Sequence, residues 1–123
     1  MNLDIISLRP FIGSKDFKTS RSFYADLGFT ESVIDKKMSV FRLDRFSFYL
    51  QDYYSEDWIN NTMLFIEVAD VDACFERLKE LKLSEKYPGV RLVPIRREAW
   101  GAECFLHDPA GVLLHFGSFT PTT

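Results

Sequence analysis

The sequence predicts an α+β fold made of two βαβββ modules. Three observations carry the prediction. Two amphipathic helical stretches each open on an aspartate, Asp16 and Asp70, which lie 54 residues apart. Each stretch has one short apolar segment before it and three after it. The last two of these, WGAECFLHDPAGVLLHF from Trp100 to Phe116, read as strands joined by a tight turn. A four-stranded sheet with one helix covers only one of its faces, so two such modules are expected to pair and enclose a space.

The elements follow in order. Leu3 to Leu8 (LDIISL) is expected to be the first strand, with Pro10 and Gly13 limiting regular pairing after it. A helix is expected from about Asp16 to Leu27. Ser14 or Asp16 caps it, Ser20, Phe23, Tyr24 and Leu27 fall on one face, and Gly28 stands where a left-handed C-terminal residue belongs. Phe29 to Asp35, Met38 to Leu43 and Phe46 to Gln51 read as three strands with polar turns between them. Asp52 to Asn61 has no clean period and reads as the connection, so that module 1–54 and module 60–120 make one domain, 1–123. The second module repeats the order. Thr62 to Val68 is a strand, and Asp70 caps a helix whose stripe is Val71, Cys74, Phe75, Leu78 and Leu81. Lys82 to Gly89 is a loop, Val90 to Ile95 a strand, and Ala102 to His107 with Val112 to Gly117 the closing hairpin. In its turn Pro109 presets φ, Asp108 can bond the backbone two residues on, and Gly111 tolerates positive φ.

Composition narrows the function classes. Net charge is -3, which argues against a nucleic-acid partner. Aromatic residues make up 15% of the chain and include 12 Phe, so large flat surfaces need burial in a core or around a ligand. Cys74 and Cys104 form no CxxC pattern and read as buried free thiols in a reducing compartment. No apolar run reaches transmembrane length, and no basic region precedes an apolar one at the start of the sequence; a cytoplasmic protein without a membrane partner is expected. There is no GxSxG, no glycine-rich phosphate loop and no cysteine with a plausible histidine partner. Strand alternation sets His115 opposite the apolar Val112, Leu114 and Phe116, toward solvent or a cavity.

Ser14-Lys15-Asp16-Phe17, Ser22-Phe23-Tyr24 and Leu27-Gly28-Phe29 resemble the first-module signature of the vicinal oxygen chelate superfamily. That superfamily holds glyoxalase I, the extradiol dioxygenases and the bleomycin resistance proteins. Glu67-Val68-Ala69-Asp70-Val71-Asp72 is similar to the opening of its second module, and Asp108-Pro109-Ala110-Gly111 with the strand after it to its closing hairpin. Ser14 to Phe29 and Trp100-Gly101 look closest to the bleomycin-resistance-like branch. The resemblance implies curved mixed sheets around a cavity, commonly in a homodimer that shares or swaps modules.

The superfamily's metal enzymes place four ligands on inward-facing strand positions. Carried over, these positions are Arg9, Tyr49, Met63 and His115. Arginine stays protonated and cannot ligate, and a thioether is a poor donor to a hard divalent ion. The resemblance therefore implies the fold without the metal, and no cofactor is expected. Arg9, Tyr49 and His115 are expected to converge on one aromatic-lined pocket, with Met63 beside them and Trp100 at the rim. Arg9 can clamp a carboxylate or phosphate of a ligand, or pair with Glu67 or Glu103 as a support of the sheet. Trp100 can cover a planar ligand, or pack in the core or a dimer interface. Phe41, Phe48 and Trp58 read as core. The function implied is metal-independent binding of a small molecule, an antibiotic or metabolite, by sequestration. The alternatives are a lyase, isomerase or dioxygenase with a divergent site, in which His115 and Tyr49 would be the acid–base pair, and a structural dimer with a vestigial cavity.

Overall fold

The computed structural model describes residues 1–121. Its elements are β1 (Phe11–Ile12), α1 (Phe17–Leu27), β2 (Thr30–Asp35), β3 (Met38–Leu43), β4 (Phe46–Gln51), α2 (Glu56–Asn60), β5 (Met63–Glu67), α3 (Val71–Glu80), α4 (Leu83–Lys86), β6 (Arg91–Glu98), β7 (Gly101–His107) and β8 (Leu113–Phe119). They form two four-stranded sheets, ordered β1-β4-β3-β2 and β5-β8-β7-β6. In each sheet the first strand runs parallel to the last and the other pairs are antiparallel. The sheets are thus mixed and repeat one topology, as the paired sequence pattern predicts.

The two main helices start by one device. The Asp16 carboxylate accepts from the Thr19 amide at 3.2 Å, and Asp70 accepts from Ala73 at 3.1 Å. Each aspartate satisfies an N–H that the first turn leaves without a partner. Gly28 ends α1 at φ 116°, a left-handed conformation that costs a glycine little.

Three expectations need correction. Leu3 to Leu8 is not a strand; the first strand is Phe11–Ile12, paired with Tyr49 and Leu50. Continuing that register puts Leu8 opposite Phe46, where β4 begins, so Leu3 to Ser7 would run past the end of the sheet. Leu3, Ile5, Ile6 and Leu8 are accordingly exposed. The connection contains α2, capped by Ser55, and the expected loop after α3 contains α4. Both helices are too short to show a helical period.

The third correction concerns the enclosed space. Within one chain the modules meet through their helix-bearing sides. Phe23 of α1 packs edge-on against Tyr87, with ring centroids 5.7 Å apart, and Tyr24 donates to Asp108. One continuous core takes Ile12, Phe41 and Leu50 from the first sheet and Leu106, Leu114 and Phe116 from the second. The side free of helices stays open on each sheet, and the two sheets do not close around a common cavity.

Candidate functional site

The open face of the second sheet is built by alternation on β5, β7 and β8. It presents Met63 and Phe65, Glu103 and Phe105, and His115 and Phe119. His115 stands at its centre, opposite Phe65 in the parallel pair and Phe105 in the antiparallel one. Its Nδ1 lies 2.9 Å from a carboxylate oxygen of Glu103, and its Nε2 lies 3.2 Å from Sδ of Met63. A carboxylate only accepts, so Glu103 holds a proton on Nδ1 and fixes the ring. The His115 and Glu103 side chains are both mostly buried, at 18% and 16% exposure. Phe65, Trp100 and Phe119 form an aromatic wall beside them, with centroid separations of 5.6 to 6.3 Å. Gly117 makes room for it, because a Cβ there would stand 2.7 Å from Cζ of Phe65.

The open face of the first sheet carries Arg9, Phe11 and Tyr49. The Tyr49 amide donates to the Pro10 carbonyl at 2.9 Å, which fixes Arg9 next to it. Nη1 of Arg9 lies 3.5 Å from the Tyr49 hydroxyl, and the guanidinium stands 5.7 Å from the centre of that ring. Phe11 stacks on the same ring, with centroids 4.6 Å apart.

The two faces correspond position by position. Phe11 is opposite Tyr49 as Phe65 is opposite His115. Arg9 reaches Tyr49 as Met63 reaches His115. The expected convergence of Arg9, Tyr49 and His115 on one pocket is therefore corrected: the residues stand as two pairs, Arg9 with Tyr49 and Met63 with His115, one on each sheet, with Trp100 beside the second, because each pair is set by the parallel strands of its own module. The larger clefts lie elsewhere. One of about 710 Å³ runs between the end of α1 and α3, and one of about 580 Å³ lies beside Tyr53 and Trp58 of the connection. Neither is lined by Arg9, Tyr49, Met63, Trp100 or His115.

This donor set does not fit a divalent metal. It offers one imidazole, one thioether, a phenol and a guanidinium, split between two sheets. No group of three or more His, Cys, Asp or Glu could hold an ion among the described residues. The thiols are poor nucleophiles as well. Burial pushes Cys104 up to about 11, with Cys74 nearby adding to the rise, and burial also raises Cys74. His107, the other histidine, is held below its usual range by burial and by neighbouring Arg91.

Glu103 is the functional side chain that sequence reasoning misplaced, as a partner for Arg9. Counting back from the Asp108–Gly111 turn would have placed it diagonal to His115, since Glu103 lies opposite Gly117. Phe65 and Phe119 were missed too, although each sits at an even spacing from a residue already assigned to that face, while Phe105 is reached only through the hairpin register that sets it opposite His115.

No protein-family model matches the chain, and no curated protein matches it. Solved structures do. A bleomycin-binding protein from bleomycin-producing Streptomyces verticillus, complexed with copper(II)-bleomycin, superposes with a TM-score of 0.77 at 24% identity, over 94% of this chain and 98% of that one. A bleomycin resistance determinant encoded on the transposon Tn5 gives 0.79 at 18% identity, over 95% and 100%. A lactoylglutathione lyase from Agrobacterium tumefaciens gives 0.70 at 14% identity, over 93% and 94%. One fold therefore serves binding proteins and an enzyme alike, and function has to be argued from the site. The chain has the fold shared by the bleomycin-binding proteins and the glyoxalases.

Proposed function

We propose that this chain is a metal-independent small-molecule-binding protein that acts by sequestering a planar ligand, an antibiotic or a metabolite. The observation that carries this reading is the aromatic wall of Phe65, Trp100 and Phe119 beside the His115–Glu103 pair. Aromatic faces supply area for stacking, and a fixed imidazole supplies orientation.

The reading includes a homodimer. Phe11, Met63, Phe65 and Phe119 are all close to half exposed or more, as are Leu3, Ile5, Ile6 and Leu8. Apolar surface of this extent is normally covered. A second copy, laid over the open faces, turns them into the walls of an aromatic-lined cavity between protomers. No helix among the described residues is long and apolar enough to cross a membrane, and reduced thiols fit the cytoplasm, where we place the protein.

A thermal-shift screen of planar aromatic compounds, with bleomycin among them, tests the reading. A ligand that binds only the folded state raises the melting temperature by an amount that grows with the logarithm of its concentration over Kd. The shift should shrink in Trp100→Ala. Stoichiometric metal in protein purified without chelator would overturn the metal-independent part.

A further inference from the structure

We infer that the open face of the first sheet holds a subsite for the anionic group of the ligand, with Arg9 as its anchor. The inference rests on the ligand-binding reading above and names the ligand's charge.

Where this chain's arginines have a carboxylate in reach, they use it: Arg21 meets Glu31 at 2.7 Å, Arg97 meets Asp72 at 2.6 Å and Arg96 meets Glu98 at 3.7 Å. Arg9 meets none among the described residues. Its Nε is covered by the protein and has no acceptor there. Among the described residues the one side-chain hydrogen bond of Arg9 is the long one to the Tyr49 hydroxyl. Leaving a buried N–H unpaired is costly, more so on a charged group. With the Nε edge covered, the demand for acceptors falls on the two Nη groups.

Among the described residues no carboxylate pairs with Arg9. The positions beside it and Tyr49 on this face, Thr30, Ser32, Val40, Arg42 and Ser47, are not acidic; Asp35, opposite Met38, stands at the far end of the sheet and accepts from the Lys37 amide. Arg42 adds a second positive charge. An oxyanion matches the forked Nη edge in shape and charge, and the Tyr49 hydroxyl can donate a further hydrogen bond to it. Phe11, half exposed and stacked on Tyr49, gives the anion's aromatic body a ledge. The class of ligand is therefore a small planar anion, a carboxylate or a phosphate ester.

The test titrates the full chain with naphthoate, naphthyl phosphate, naphthamide and naphthylmethylammonium by calorimetry. At least one anion should bind about tenfold or more tightly than the neutral amide, as charge-assisted bonds require; the two anions together rank carboxylate against phosphate. Arg9→Met should abolish the preference, weakening the anions far more than the amide. Arg9→Lys, which keeps the charge but loses the fork, should retain part of it. Arg9→Met should also be at least as stable as the parent, because it removes an unsatisfied group; a large loss of stability would make Arg9 a support of the sheet and overturn the inference. Equal binding of anions and amide, or tighter binding of the ammonium, would overturn it while leaving the binding reading intact. If no naphthyl probe binds, both fall.

Discussion

Tyr24 donates its phenolic proton to Asp108 at 2.6 Å, joining the helix of the first module to the closing turn of the second. The other carboxylate oxygen of Asp108 accepts from the amides of Ala110, Gly111 and Val112, each at 2.9 Å. Both side chains are fully buried. Asp108→Ala leaves those amides and the phenol without their acceptor, so it should cost about 3 kcal/mol or more in urea unfolding. Tyr24→Phe, which loses one bond, should cost about 1–2 kcal/mol. The double variant should cost less than the two single costs added together.

Asp26 is a second tie between the modules. The Lys86 ammonium, then the Tyr87 hydroxyl, donate to its carboxylate and hold it below the usual value of 3.8. A depressed carboxyl binds fewer protons folded than unfolded, so its contribution is present above the unfolded value and is lost as pH falls through the folded one. Asp26→Asn should therefore be less stable than the parent at neutral pH. The gap should close as pH drops below 3.8, as read from chemical unfolding across an acid series.

Much of this architecture was legible because it rests on short-range chemistry. Asp16, Asp70, Gly28 and the Asp108–Gly111 turn have local jobs, and the structure gives them those jobs. The register of Arg9 and Met63 followed from counting back from the two caps. Leu3 to Leu8 failed for a different reason. An apolar segment shows that burial is needed without showing against what, and β4 begins too late to pair with it. The modules' mutual arrangement failed likewise. Which side of each sheet meets the other depends on Phe23, Tyr24, Tyr87 and Asp108 touching over long separations, and no local pattern encodes that. At the site, alternation turned His115 to the correct face, but its partner Glu103 required the hairpin register as well.

Gly101 begins β7 opposite Phe119, and a Cβ on it would lie 2.1 Å from the backbone carbonyl oxygen of Ser118. Backbone cannot yield as a side-chain tip can. Gly101→Ala should cost about 3 kcal/mol or more and displace Trp100, lowering ligand affinity along with stability. Unfolding and binding measured on the one variant check both effects.

Sedimentation velocity at micromolar concentration should show a dimer. Removing residues 1–8, which carry Leu3, Ile5, Ile6 and Leu8 in exposed positions, should weaken association and leave the far-ultraviolet circular dichroism unchanged. A parent that sediments as a monomer would sink the dimer part of the proposal.

His115 separates a binding role from a structural one. Its ring satisfies Glu103 on one edge and touches Met63 on the other, on a face outside the continuous core. Truncation to alanine leaves the Glu103 carboxylate without its partner in a mostly buried position, so a cost of about 1 kcal/mol is expected, well short of unfolding. The loss of a fixed imidazole beside the aromatic wall should weaken any ligand found by about tenfold. His115→Gln keeps a donor for Glu103 and should recover the stability but not the full affinity, because its amide lacks the flat ring that faces Phe65 and Phe105. If His115→Ala unfolds the protein, or if it binds the ligand as well as the parent does, the imidazole belongs to the scaffold and the ligand lies elsewhere.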